Sequence, residues 1–123
     1  MTLSDDETRR AKGLHGEALA EEFFLSKGFQ IVERNFRASR FGEIDLIIKN
    51  NEYLVFVEVK SRKSSAYGGA LFSITAGKKR RLSTTARCFL ARNHSLYNSL
   101  TCRFDLISIE NGELSWFPDI FRA

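Results

Sequence analysis

Residues 42–62 read GEIDLIIKNNEYLVFVEVKSR, two aliphatic runs of strand length separated by Asn50 and Asn51. No other stretch constrains the fold as tightly. Runs rich in Val, Ile, Leu and Phe form strands, and a polar break of this kind between two of them forms a hairpin turn. Side chains alternate faces along a strand. Glu43, Asp45 and Ile47 therefore share one face of the first run, and Ile44, Leu46 and Ile48 the other. In the second run Leu54, Phe56, Glu58 and Lys60 oppose Val55, Val57 and Val59. Three carboxylates and one ammonium thus sit inside segments that should be burying aliphatic surface. An unpaired charge in a core costs several kcal/mol or is neutralised, so these four groups need compensation.

The pairing register decides how close the acids come. A two-residue loop sets Glu43 opposite Glu58 with Asp45 diagonal to it, and a four-residue loop sets Asp45 directly opposite Glu58. Either register keeps the acids on one face, whereas a one-residue slip would separate them. Opposed Cβ atoms lie about 5 Å apart and diagonal ones roughly 7 Å, which a divalent cation can bridge.

Around this hairpin the chain predicts one α/β domain over residues 1–123, in the order α-β-β-β-α-β-β. Ser4 with Glu7 forms a capping box opening a helix that runs to about Lys27, with Gly28 as its stop. Strands are expected over 29–37, 42–49 and 53–62, followed by a loop over 63–74. Thr75 caps a second helix to about Asn93 that turns Leu82, Thr85, Ala86, Phe89 and Leu90 to one side. Residues 102–117 then read as a strand, an Asn-Gly turn and a short last strand. In the first helix Gly13, Gly16, Glu17, Ala20 and Phe24 share a stripe. Two helical glycines cost about 1 kcal/mol each relative to Ala, which close backbone approach would explain. Glu17 is the charged member of that stripe and is expected to point inward.

Clustered carboxylates raise one another's pKa unless a cation offsets the repulsion. Oxygen ligands suit Mg²⁺ or Mn²⁺, which lowers the pKa of bound water and polarises a phosphoryl group. Lys60, two residues beyond Glu58, can position the attacking water or stabilise developing charge. Such a set suits phosphodiester hydrolysis, with Glu17, Asp45 and Glu58 as metal ligands and Glu43 as an auxiliary. The alternative is a purely structural salt bridge from Lys60 to Glu58 or Asp45.

The charge distribution points the same way. The 123 residues carry a net charge of +4 and a pI near 9.3, and Lys78, Lys79, Arg80 and Arg81 form one block. Cations at a helix N-terminus oppose the helix dipole, so phosphate contact by Lys78, Lys79 and Arg81 is expected, with Arg62, Lys63 and Tyr67 where a loop could meet DNA. Asp105 reads as a salt-bridge partner, His15 and His94 as surface residues, and Trp116 as core. Cys88 and Cys102 lack CxxC spacing and read as ordinary thiols. No apolar run is long enough to span a membrane and the N-terminus has no signal-peptide pattern, so a cytoplasmic location is expected.

Asp45 followed by Glu58-x-Lys60 resembles the core of the PD-(D/E)XK, or restriction-endonuclease-like, nuclease superfamily. The segments GEIDLI, VFVEVKSR and RFDLISI look more closely like the bacterial YraN-like family, over nearly the whole chain. The resemblance implies an α-β-β-β-α-β core with a central mixed sheet flanked by helices, and Mg²⁺- or Mn²⁺-dependent DNA cleavage. Holliday-junction resolvases in the superfamily add an acid from the first helix, a position that Glu17 matches. Ile44 stands where the superfamily often has Pro. One compact site cuts one strand, so resolving a duplex or branched DNA would require a homodimer. The rival expectations are a catalytically silent DNA- or RNA-binding module and an adaptor for a protein complex.

Overall fold

The computed structural model describes residues 5–62 and 69–122, so Ser4, Lys63 and Tyr67 lie outside the described residues. A five-stranded sheet runs in sequence order through β1 (Gln30–Arg37), β2 (Glu43–Lys49), β3 (Tyr53–Arg62), β4 (Thr101–Glu110) and β5 (Glu113–Phe121). The β3–β4 pair is parallel and the other three are antiparallel. A parallel pair needs a crossover, here supplied by α2 (Ala76–Arg92) and the short α3 (His94–Tyr97). α1 (Asp5–Ser26) covers the opposite face.

Strand parity determines what each helix buries. Leu46, Ile48, Val55, Val57, Ile107 and Ile109 pack with Ala20 and Phe24 under α1. Ile47, Leu54, Phe56 and Phe104 pack with Leu82, Ala86 and Phe89 under α2. One residue breaks the expected alternation: Ile44 packs on the α2 side with Phe36 rather than beside Leu46 and Ile48. The cause is local. Asn35, flanked by the pairs Arg34–Leu46 and Phe36–Ile44, adopts φ +51°, and a 3-10 turn over Ser39–Phe41 follows. The margin of the sheet curls there, and Asn tolerates the left-handed conformation better than a branched residue does.

Gly16 accounts for one of the two glycines in the α1 stripe. A Cβ at Gly16 would run into Ser61 Oγ and stand 3.3 Å from Ile109 Cδ1, so the helix lies against β3 and β4 only because that atom is missing. Gly28, at φ +90°, ends the helix as expected. Thr75 caps α2, its Oγ1 accepting from Lys78 N at 3.1 Å. β5 is longer than expected, at nine residues. Pro118 fits within it because β5 is an edge strand and tolerates a missing donor.

Asp105 is fully buried and structural. Both carboxylate oxygens accept from Arg103, at 2.9 and 3.0 Å, and Trp116 Nε1 and Asp119 N donate at 2.9 Å each. The Arg103 guanidinium stands 4.6 Å from the Tyr53 ring centre. A buried ion pair with this many additional bonds meets the condition under which such pairs are tolerated. Among the described residues no helix is long and apolar enough to cross a membrane.

Candidate functional site

The hairpin takes the four-residue register. Lys49 pairs with Leu54 and Leu46 with Val57, and Asn50 Oδ1 holds the turn by accepting from Glu52 N and Tyr53 N at 2.9 and 2.7 Å. The β2–β3 pairing ends at Leu46–Val57, one step before Asp45 and Glu58 would oppose each other. There the Asp45 side chain takes over from the backbone: Oδ2 accepts from Val59 N at 2.8 Å. This bond brings the Asp45 carboxyl within hydrogen-bonding reach of Glu58, which is only 7% exposed. Two acids side by side in a largely buried place are what an uncompensated sheet would avoid.

Two hollows meet at Asp45. One is a cleft of about 250 Å³ under α2, where Phe41, Glu43, Asp45, Glu58, Lys78 and Arg81 converge. The other, about 190 Å³, opens toward α1 and is lined by Glu17, Asn35 and Asp45 among others. Asp45 thus stands at the splayed margin of the sheet, facing Glu58 from one side and Glu17 from the other. Burial, then the charge of Glu58 and that of Glu17, push the Asp45 carboxyl up to about 8, against the opposing effect of the Val59 bond. Burial also raises the Glu17 pKa, helped by Glu43 and Glu58, while a hydrogen bond from Asn35 works the other way. Glu43 is partly neutralised, with its Oε2 3.1 Å from Arg37 Nη2.

The ammonium that reaches this cluster is Lys78, whose Nζ lies 3.3 Å from Glu58 Oε2. Lys60 sits further along β3, half-buried and paired in the sheet with Ser108, and the salt bridge to Glu58 that was the alternative reading for it is made by Lys78 from α2. Arg81, one turn after Lys78, lines the same cleft. Lys79 does not; it lies on the other flank of α2, near Phe121. Arg62 closes β3 and is half-buried. His15 is exposed, as expected.

The donor set suits a hard dication. It is all oxygen, comes from α1, β2 and β3, and includes a carboxyl whose ionised form the fold opposes. Among the described residues, no three acid, His or Cys side chains stand close enough to hold an ion as they are, so an ion could be held there only after a side chain such as Glu17 rotated. Asn35 and Phe41 were not singled out from the sequence. The clue for Asn35 was an amide inside a strand; for Phe41, an aromatic between Arg40 and the strand-opening Gly42.

The model of "Uncharacterised protein family UPF0102" matches residues 16–109, which include every element of this cluster. Curated relatives named "UPF0102 protein YraN" from Salmonella newport (strain SL254), Salmonella heidelberg (strain SL476) and Salmonella typhimurium (strain LT2) are each 42% identical over 115 residues. Those alignments span 94% of this chain and 87% of each relative.

Proposed function

The chain belongs to the UPF0102 family, and on that footing we propose that it is a metal-dependent endodeoxyribonuclease. The observation that carries this reading is the buried Asp45–Glu58 carboxyl pair, with Glu17 on one side and the cations of α2 on the other. The order α1-β1-β2-β3-α2-β4 supports placing the fold in the restriction-endonuclease-like class. Glu17, Asp45 and Glu58 would hold Mg²⁺ or Mn²⁺, with Glu43 as an auxiliary. When bound, the ion would supply a water of lowered pKa and polarise the scissile phosphate.

The chain's own groups do the remainder. Val59 N orients Asp45, and Asn35 orients Glu17. Lys78 holds Glu58 in this structure; with a dication on that carboxylate, its ammonium, together with Arg81, would be free for a phosphate oxygen. Lys60 positions the attacking water or offsets charge developing on the phosphate. A homodimer would supply the second cut needed on a duplex or a branched junction.

The Lys78–Glu58 pair also favours a second reading, a silent DNA-binding module in which that lysine permanently satisfies the carboxylate. Incubating the protein with linear and branched DNA in Mg²⁺, Mn²⁺ or EDTA separates the two. Cleavage in metal alone is expected, and binding that survives EDTA with no cleavage in either metal would reject the nuclease.

A further inference from the structure

α2 turns basic residues to both flanks, and the flank away from the carboxylates carries its own groove, of about 520 Å³. Lys79, Arg80, Arg87 and Arg122 line it, and no carboxylate does among the described residues. Arg122 is held by Asp119, with Nη2–Oδ2 at 3.0 Å, so the excess charge belongs to the three α2 cations. Arg80, Ser83 and Arg87 follow one another at i, i+3 and i+7 and form a single stripe. At about 1.5 Å of rise per residue the Cα atoms of Arg80 and Arg87 stand roughly 10 Å apart along the axis.

The groove is closed at one side by an aromatic ring. Phe121 stacks on Phe104 with centroids 4.3 Å apart, which fixes its plane. Over the ring stands Lys79 Nζ, 5.8 Å from the centroid. A row of cations beside a fixed aromatic ring is the arrangement that holds an unpaired nucleic-acid strand: the cations track phosphates and the ring stacks a base. Bases in a duplex are already stacked on each other and cannot use it.

We propose that this groove binds a single-stranded nucleic-acid segment, with Lys79, Arg80 and Arg87 on its phosphates and a base against Phe121. The base takes the place of Lys79 over the ring, and the freed ammonium joins the backbone contacts. This site is separate from the carboxylate cluster and does not depend on the nuclease reading. Should both hold, α2 divides a branched substrate, with a phosphodiester on the Glu58 side and the unpaired strand on the other.

Fluorescence anisotropy in EDTA, with a labelled 12-nucleotide oligo-dT and a 12-base-pair duplex over a salt series, tests it. The protein should bind the single strand at least about tenfold more tightly than the duplex. Arg80→Gln with Arg87→Gln should weaken it tenfold or more and reduce the log–log salt slope by about 1.4, at roughly 0.7 per phosphate. Phe121→Leu should weaken it about fivefold or more and leave the salt slope unchanged. The titration is run in EDTA, so a failed nuclease reading leaves this result intact. Unaltered oligo-dT binding by the double arginine variant overturns the proposal. So does equal affinity for strand and duplex, which would mark a general polyanion surface. The arginine pair is on the helix surface, so its result stands even if Phe121→Leu destabilises the fold.

Discussion

Asp45→Asn removes a charge that the fold resists and keeps the shape that the fold uses. The amide oxygen can still accept from Val59 N, which Asp45 Oδ2 meets at 2.8 Å. Unfolded, Asp45 ionises near its ordinary 3.8; folded, it does so only near about 8. Between these values the folded protein keeps a proton that the unfolded chain has lost. Stability of the parent therefore falls as pH rises through this window and levels off above about 8. At about 1.36 kcal/mol per pH unit the whole window is an upper bound of ~6 kcal/mol, and because the titration is shared with Glu58 a penalty of about 2–4 kcal/mol is expected. Asn does not titrate. Urea unfolding in EDTA should thus show the variant little changed at pH 4.5 and more stable than the parent by about 2–4 kcal/mol at pH 9. Adding Mg²⁺ at pH 9 should stabilise the parent and not the variant, narrowing the gap. An equal difference at both pH values, or a variant weaker at pH 9, would refute the claim that Asp45 is an uncompensated buried acid.

Four other outcomes follow from the same geometry. Glu58→Ala and Lys60→Ala should abolish DNA cleavage while leaving DNA binding within a few fold, as gel assays can show; undiminished cutting rejects their roles. Because Asp45 must lose its proton to bind a cation, Mg²⁺ affinity by calorimetry should rise by up to about tenfold per pH unit below 8 and then flatten. Lys78→Met removes the cation competing for Glu58 and should tighten Mn²⁺ binding several-fold while weakening DNA binding; looser Mn²⁺ binding would show that Lys78 helps to build the site rather than guard it. Gly16→Ala gains helix propensity but meets Ser61 Oγ, for a net loss of about 1 kcal/mol in urea unfolding, and a stabilised variant would contradict the close approach of α1.

The hairpin was legible because its information is local. Alternation in residues 43–49 and 53–62 fixed both strands and the parity that brings Asp45 and Glu58 together, and the turn then selected one of two allowed registers. Thr75 and Gly28 marked helix ends through backbone needs that only a few residue types meet. What the sequence hid depends on how elements lean on one another. That Lys78 rather than Lys60 reaches Glu58 follows from the seat of α2 over β2, which no local pattern encodes. The displacement of Ile44 follows from Asn35 and the turn at Ser39–Phe41. α3, at four residues, is too short to show a helical period, and β5 runs on to Phe121, past the residue 117 where the sequence pattern ends it.

A crystal soaked in Mn²⁺ and measured at the manganese absorption edge probes the convergence of acids from α1, β2 and β3 most directly. An anomalous peak within coordination distance of Asp45 and Glu58, with Lys78 withdrawn and Glu17 turned inward directly or through a water, is the expected result. Full-strength diffraction with no peak there, and Lys78 still bonded to Glu58 at saturating Mn²⁺, would contradict it.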